Sequence, residues 1–293
     1  MSSKDNYKNL EKYIKENDFV IADIDTAHGI MLTILKEIDR ICSKNNLKYF
    51  LCDGTLLGAI RHKGFIPWDD DLDIAMPRED YELFKEIATK EISEDFFVQT
   101  KDTDNEYDIY HIPLKVRHNN SVIIEEKNKS YHQGLYVDIF PIDKVPESKG
   151  KALIQKLLSN MWTIKLPINT EDFPKPKFFL RSFSQLIGFL IPPSLILKLQ
   201  LFTLKWNRYS KSHLYTYGVE LTWKTYFEEE DLFPLQKIKF EDGTFWGPNK
   251  PEKILSDLYG DYMKLPPVEE RRVHGEEMYV RREMNDLQHR EKN

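Results

Sequence analysis

Residues 49–81 constrain this chain more than any other stretch. They open with an apolar run, Tyr49-Phe50-Leu51-Cys52, and turn at Asp53-Gly54-Thr55. A basic trio, Arg61-His62-Lys63, and a Pro67-Trp68 corner follow, and the stretch then runs into Asp69-Asp70-Asp71-Leu72-Asp73-Ile74. Five acidic residues precede Met76, with Leu72, Ile74 and Ala75 set among and after the last of them. A solvated acidic run has no such apolar neighbours. The alternation predicts a strand over 71–76 with one packed face and one acidic face. Carboxylates crowded on one face repel one another, and a divalent cation relieves that repulsion.

The spacing places further chemistry around this face. Gly54 and Thr55 fall where a strand ends and a helix begins. Backbone N–H groups at such a place bind phosphate oxygens, and glycine permits close approach. On a strand, Asp71 and Asp73 share a face, and paired carboxylates suit one or two Mg²⁺ ions, hard cations that take oxygen ligands and substrate phosphates. Asp138 stands alone among Leu135, Tyr136, Val137, Ile139 and Phe140, so it carries a burial cost and needs a partner. It supplies a third carboxylate, either as a ligand to a second metal ion or as the group that activates an attacking hydroxyl.

Composition excludes several classes. A net charge of −6 gives no electrostatic support for nucleic-acid binding. The two cysteines, Cys42 and Cys52, both fall in apolar segments and read as buried free thiols of a reducing compartment. Residues 1–17 are polar and mixed in charge, unlike a signal peptide. The longest uncharged apolar core, residues 187–197, is shorter than the ~20 residues needed to span a bilayer. The expected location is cytoplasmic. Lys177, Arg181 and Lys198 margin the apolar segment 178–202, which reads either as a helical pair in peripheral contact with the inner face of the membrane or as the core of a helical subdomain.

The expected fold class is α+β, with a mixed sheet flanked by helices. Residues 1–25 read as a loosely ordered arm, 26–148 as the catalytic core, 149–228 as a helical insertion and 229–293 as a segment returning to the core. Ile30, Met31, Ile34, Leu35, Ile38, Ile41 and Cys42 form one helical face that stops at Asn45-Asn46. Strands are expected at 48–52, 96–99, 112–117, 122–125 and 135–140, and helices at 55–61, 78–92, 151–165, 178–191, 194–211 and 251–259. Asp242-Gly243 marks a hairpin turn, and beyond Arg271 the charged chain is helical by propensity.

A Gly-Thr turn, a D-x-D strand and a later third Asp resemble the nucleotidyltransferase superfold typified by DNA polymerase β. The long run Asp53-Gly54-Thr55-Leu56-Leu57-Gly58-Ala59-Ile60-Arg61-His62, followed by Phe65-Ile66-Pro67-Trp68-Asp69-Asp70-Asp71-Leu72-Asp73, is similar to the signature of the LicD family. That family comprises bacterial phosphocholine transferases and eukaryotic fukutin-type relatives. Gly134-Leu135-Tyr136-Val137-Asp138-Ile139-Phe140-Pro141, Tyr259-Gly260-Asp261-Tyr262-Met263, Leu265-Pro266-Pro267 and His274 extend the resemblance over residues 26–274.

The resemblance implies Mg²⁺, with Mn²⁺ as a substitute, held by Asp71, Asp73 and Asp138, with Asp69 beside them and Asp70 directed elsewhere. It implies transfer of phosphocholine, or a related phospho-substituent, from CDP-choline or a similar CDP-linked donor. The acceptor would be a sugar hydroxyl of a teichoic acid or another glycan or lipid-linked glycan, with CMP released. Arg61, His62 and Lys63 would supply positive charge near the diphosphate, and Lys115 and Arg117 would face the nucleotide. Trp68, Tyr110, Tyr131 and Tyr136 are the candidates to hold a cationic headgroup through their ring faces, and His111 and His132 are candidates for phosphate. Two other readings stand beside this one. A nucleotide-sugar glycosyltransferase also uses D-x-D, but Gly54-Thr55 and Asp138 argue against it. A catalytically silent envelope-glycan scaffold would not need the retained carboxylates.

Overall fold

The structure is a computed structural model that describes residues 10–108, 112–126, 129–165, 191–221, 225–271 and 277–284. The chain divides into two compact units, one made of Met1–Phe140 with Pro234–Asn293 and the other of Pro141–Phe233. The fold is α+β, mixed sheets with helices.

The first unit begins with α1 (Leu10–Glu16) and β1 (Phe19–Ile21). The long helix α2 (Ile24–Asn45) starts where the Asp23 carboxylate accepts the Thr26 N–H at 2.8 Å. It ends at Asn46, whose left-handed backbone (φ 55°) turns its N–H back to the Cys42 carbonyl. Its apolar positions recur at three- and four-residue spacings and are all buried, from Ala27 through Ile34 to Cys42. The order then runs β2 (Phe50–Leu51), α3 (Asp53–Arg61), β3 (Asp73–Pro77), α4 (Arg78–Glu91), β4 (Phe96–Gln99), β5 (Lys115–His118), β6 (Ser121–Ile123) and β7 (Tyr136–Lys144). In this unit the strand order is β2-β3-β7-β5-β4. The antiparallel β5–β7 register sets Lys115 opposite Asp138 and Arg117 opposite Tyr136.

In the second unit, residues 142–144 of β7 pair with β8 (Leu214–Tyr217), and β8 pairs with β9 (Tyr226–Glu228). Its helices are α5 (Lys149–Lys165), α6 (Pro193–Thr203) and the short α7 (Glu229–Leu232). A 3₁₀ turn (Leu204–Trp206) follows α6, so the helix expected over 194–211 stops early. The expected helix 178–191 lies outside the described residues. Among the described residues no helix is long and apolar enough to cross a membrane.

The chain re-enters the first unit through the hairpin β10 (Gln236–Phe240) and β11 (Gly243–Gly247), then α8 (Pro251–Tyr259) and β12 (Met278–Arg281). Within the arm expected before residue 25, residues 10–21 are packed: Leu10, Ile14 and Phe19 bury against Val122 and Ile124, and β1 pairs with β12. Two expectations are corrected here. Residues 278–281 are a strand rather than a helix, because β1 and β6 offer ladder partners on both sides. β3 begins at Asp73 rather than residue 71, because the two-residue β2 pairs only with Ile74 and Ala75. Asp71 therefore sits in the approach to the strand.

Gly58 of α3 tests this packing. A Cβ there would lie 2.5 Å from the Gly64 carbonyl oxygen and 3.2 Å from the Ile66 nitrogen. Alanine normally favours a helix over glycine by about 1 kcal/mol, but here it meets backbone. Gly58→Ala is expected to destabilise the protein by about 1–3 kcal/mol, read as a lowered Tm. An unchanged or raised Tm would show that the loop at 64–66 yields freely.

Candidate active site

The site is organised at the start of α3. Cys52 is extended, and Asp53 turns the chain with a left-handed φ of 42°, a conformation that few residues other than glycine adopt. The N–H groups of a helix's first turn have no partners within the helix. A Cβ on Gly54 would lie 2.9 Å from Asp69 Oδ2, so the missing side chain is what lets the Asp69 carboxylate sit against this helix start. The neighbouring Thr55 is buried, and its hydroxyl oxygen accepts the Asp73 N–H at 2.7 Å. The pair expected to cradle phosphate thus also positions the carboxylate-bearing loop, Gly54 by clearance and Thr55 by a hydrogen bond. His28, stacked on Phe65 with ring centroids 4.1 Å apart, donates from Nε2 to the Asp69 carbonyl at 2.7 Å. Asp70 is wholly buried, and its charge is felt at His28.

The carboxylates converge on Asp73. Burial, followed by the charges of Asp71, Asp53, Asp138 and Asp69, holds the Asp73 carboxyl well above the usual carboxylate range. Asp138 is also raised by burial, against which Lys115 acts to keep it ionised. Lys115 Nζ stands 2.8 Å from Asp138 Oδ1 in a buried ion pair. Glu125 holds the cations behind it, with Oε1 3.4 Å from Lys115 Nζ and Oε2 2.6 Å from Arg117 Nη2. Lys115 thus reaches the carboxylate group. Arg117 is wholly buried and donates to Glu125, to Gln99 Oε1 and, at 2.9 Å, to the Gly134 carbonyl. The structure makes it an interior anchor.

Residues from the end of the chain complete the surroundings. Tyr259 is 45% exposed, and its hydroxyl is raised by partial burial and then by the charges of Asp53 and Asp73. Arg61 donates from Nη1 to the Tyr262 carbonyl at 2.8 Å and from Nε to His62 Nε2 at 2.9 Å, and its charge reaches Asp69. His62 is held below its usual range by burial and by Arg61, which keeps it a neutral acceptor. Among the described contacts, Lys63 makes none with the carboxylates; it is exposed in a left-handed turn (φ 63°) whose carbonyl accepts the Glu241 N–H at 2.9 Å.

The aromatic candidates already carry cations of the protein. Arg271 lies 4.1 Å from the Trp68 ring centroid, Lys115 lies 3.4 Å from that of Tyr136, and Arg117 lies 5.8 Å from that of Tyr131. His132 is a buried structural residue: Nδ1 accepts the Gly134 N–H at 3.1 Å, Nε2 meets Asn119 Oδ1 at 3.1 Å, and burial pushes its pKa down to about 3. Tyr110, His111 and His274 lie outside the described residues. His28, Glu125 and Tyr259 escaped the sequence reading of roles. Only Tyr259 carried a signal, its place in the Tyr259-Gly260-Asp261-Tyr262 motif.

The donor set is all carboxylate oxygen, with Asp73 and Asp138 buried and Asp53, Asp69 and Asp71 partly exposed, and so fits a hard divalent cation. Among the described residues, no three acidic, histidine or cysteine side chains form a closed coordination group; Asp138 is engaged by Lys115. A mixed sheet sets a Gly-Thr helix start beside carboxylates from two strands. The family model described as LicD/FKTN/FKRP, nucleotidyltransferase domain, matches residues 46–165, which hold all five carboxylates around Asp73 and Asp138. The chain is 30% identical over 261 residues to the lipopolysaccharide cholinephosphotransferase LicD of Haemophilus influenzae, covering 86% of this chain and 96% of that protein. It is 39% identical over 114 residues to an uncharacterized protein of Rickettsia prowazekii, 39% of each chain, and 50% identical over 54 residues to one of Rickettsia typhi, 18% of each. The chain belongs to the LicD family and is a transferase.

The raised Asp73 carboxyl gives a stability prediction. A group with a raised folded pKa stabilises the fold while protonated, and that contribution is lost as pH rises through the folded value. In the absence of divalent cations, Tm is expected to fall as pH climbs from the ordinary carboxylate range, about pH 4, towards neutrality and above. Asp73→Asn removes the ionising group, so the variant should be more stable than wild type on the alkaline side and show a flatter profile. Parallel pH–Tm curves would show that the crowding is relieved in some other way.

Proposed function

We propose that this protein transfers phosphocholine, or a closely related phospho-substituent, from a CDP-linked donor to a hydroxyl of a lipopolysaccharide-type cell-surface glycan, releasing CMP. The observation that carries this reading is the buried Asp73 surrounded by Asp53, Asp69, Asp71 and Asp138 beside the α3 start. The choice of group and acceptor rests on the Haemophilus influenzae relative, whose name states both and of which this chain covers 96%.

In this reading Asp71 and Asp73 hold Mg²⁺, for which Mn²⁺ substitutes, with Asp69 and Asp138 alongside. The ion would neutralise the donor diphosphate and offset the mutual repulsion of its ligands. The chain's own residues do the rest. The acceptor oxygen forms a bond to the phosphorus that bears choline, and the bond from that phosphorus to the bridging oxygen breaks, leaving with CMP. Asp138, raised by burial and paired with Lys115 at 2.8 Å, takes the hydroxyl proton as general base. Arg61 brings positive charge to the Asp69 side of the group. Positioning and charge neutralisation supply most of the rate in such transfers.

The direct test supplies CDP-choline, CDP-ethanolamine, CDP-glycerol and CDP-ribitol with Mg²⁺ and follows CMP release with lipopolysaccharide or teichoic acid as acceptor. CDP-choline with lipopolysaccharide is expected to give the fastest release, and chelation should stop it. Asp71→Asn and Asp73→Asn should each lower the rate by at least ~100-fold while the circular dichroism spectrum is kept. Full turnover in either variant would remove the carboxylates from the mechanism. UDP release from a UDP-sugar in place of CMP release would favour glycosyl transfer.

A further inference from the structure

The second unit contains a helix pair whose burial is inverted. α6 buries Ile196, Gln200 and Thr203, and beyond its end Asn207 continues the same face. Its exposed side carries Leu195 (45% exposed), Leu199 (39%), Leu201 (42%) and Phe202 (60%). α5 partly repeats the pattern, burying Gln155 and Ser159 along with Trp162 while Leu153 (56%) and Ile154 (46%) face outward. Between the helices, Gln155 Nε2 donates to Thr203 Oγ1 at 2.8 Å and to Asn207 Oδ1 at 2.7 Å. Gln155 Oε1, both side-chain amide atoms of Gln200 and Asn207 Nδ2 are buried without a hydrogen-bond partner. A helix on a water-facing surface shows the reverse arrangement, apolar inside and polar outside. In water the inversion costs twice, once for exposed leucines and once for buried unpaired amides.

Charge indicates what covers the apolar side. Residues 149–211 hold eleven Lys and Arg against only Glu171 and Asp172, in a chain whose net charge is −6. Basic and apolar groups also share the exposed side: Lys198 and Lys205 are exposed beside Leu199 and Phe202, and Lys205 Nζ lies 3.4 Å from the Phe202 ring centroid. The eleven residues of α6 give a length of about 16 Å, far less than the ~30 Å hydrocarbon core. Such a helix lies along an interface rather than across it.

We infer that the outer face of α5 and α6 seats on an anionic membrane surface, with its leucines and Phe202 in the acyl boundary and its lysines at lipid phosphates. This rests on no part of the donor or acceptor reading. The test is sedimentation of the full-length protein with vesicles of equimolar phosphatidylglycerol and phosphatidylcholine, and with phosphatidylcholine alone. The protein should partition to the first and not the second, and rising salt should weaken the partition. The double variant Leu199→Gln with Phe202→Gln should abolish it, with Tm unchanged or raised. Lys198→Gln and Lys205→Gln should each weaken it about fivefold at low salt. No partition, or equal partition to both vesicles, overturns the inference. So does self-association in the absence of lipid that the double variant abolishes, because a second copy would then cover this face.

Discussion

Repulsion among the carboxylates around Asp73 is the load that the rest of the first unit contains. Two of the five belong to the sheet, Asp73 at the start of β3 and Asp138 in β7, and both are buried. Each neighbour that holds the group does so without neutralising it completely. Thr55 fixes Asp73 through the main chain, Gly54 makes room for Asp69, and His28 pins the Asp69 carbonyl. Lys115 meets the group as a paired cation at Asp138. Behind it Glu125 and the buried Arg117 set its place, so the cation is held by an interior network and not by solvent-exposed charges. Carboxylates crowded in this way suit the binding of a diphosphate with its cation.

Much of this was legible because it depends on local periodicity. The apolar spacing of α2, the strand-to-helix turn at residues 52–55 and the D-x-D alternation are all short-range patterns. Asp138 was readable by a different route. An acid in an apolar strand needs a partner, and the sheet register provides Lys115. The same alternation misled for Arg117. A period of two sets Lys115 and Arg117 on one face, but it does not say where along that face the sheet opens towards the carboxylates and where it is closed over by Glu125 and Gln99. Lys63 was placed by the basic trio and His132 by its residue type, and the structure sets Lys63 exposed in a turn and His132 in the interior. β1, β12 and the roles of His28 and Tyr259 depend on contacts between distant segments, which no local pattern carries.

The second unit shows the limit of periodicity from another side. Its helical character could be read from the change in composition near residue 149. Which face of α6 turns inward could not, because the spacing of leucines marks a stripe and not the solvent that the stripe meets. The buried stripe is Ile196, Gln200, Thr203 and Asn207, one apolar residue followed by three polar ones.

The first unit is discontinuous: Met1–Phe140 is joined by Pro234–Asn293 only after the intervening Pro141–Phe233. A ribosome therefore delivers every carboxylate of the group well before it delivers Tyr259, whose hydroxyl feels their charge, or Tyr262, whose carbonyl receives Arg61. Contacts of such long sequence separation form late and slowly. A chain stalled between residues 140 and 259 would hold all five carboxylates without Tyr259 or the Tyr262 carbonyl that receives Arg61.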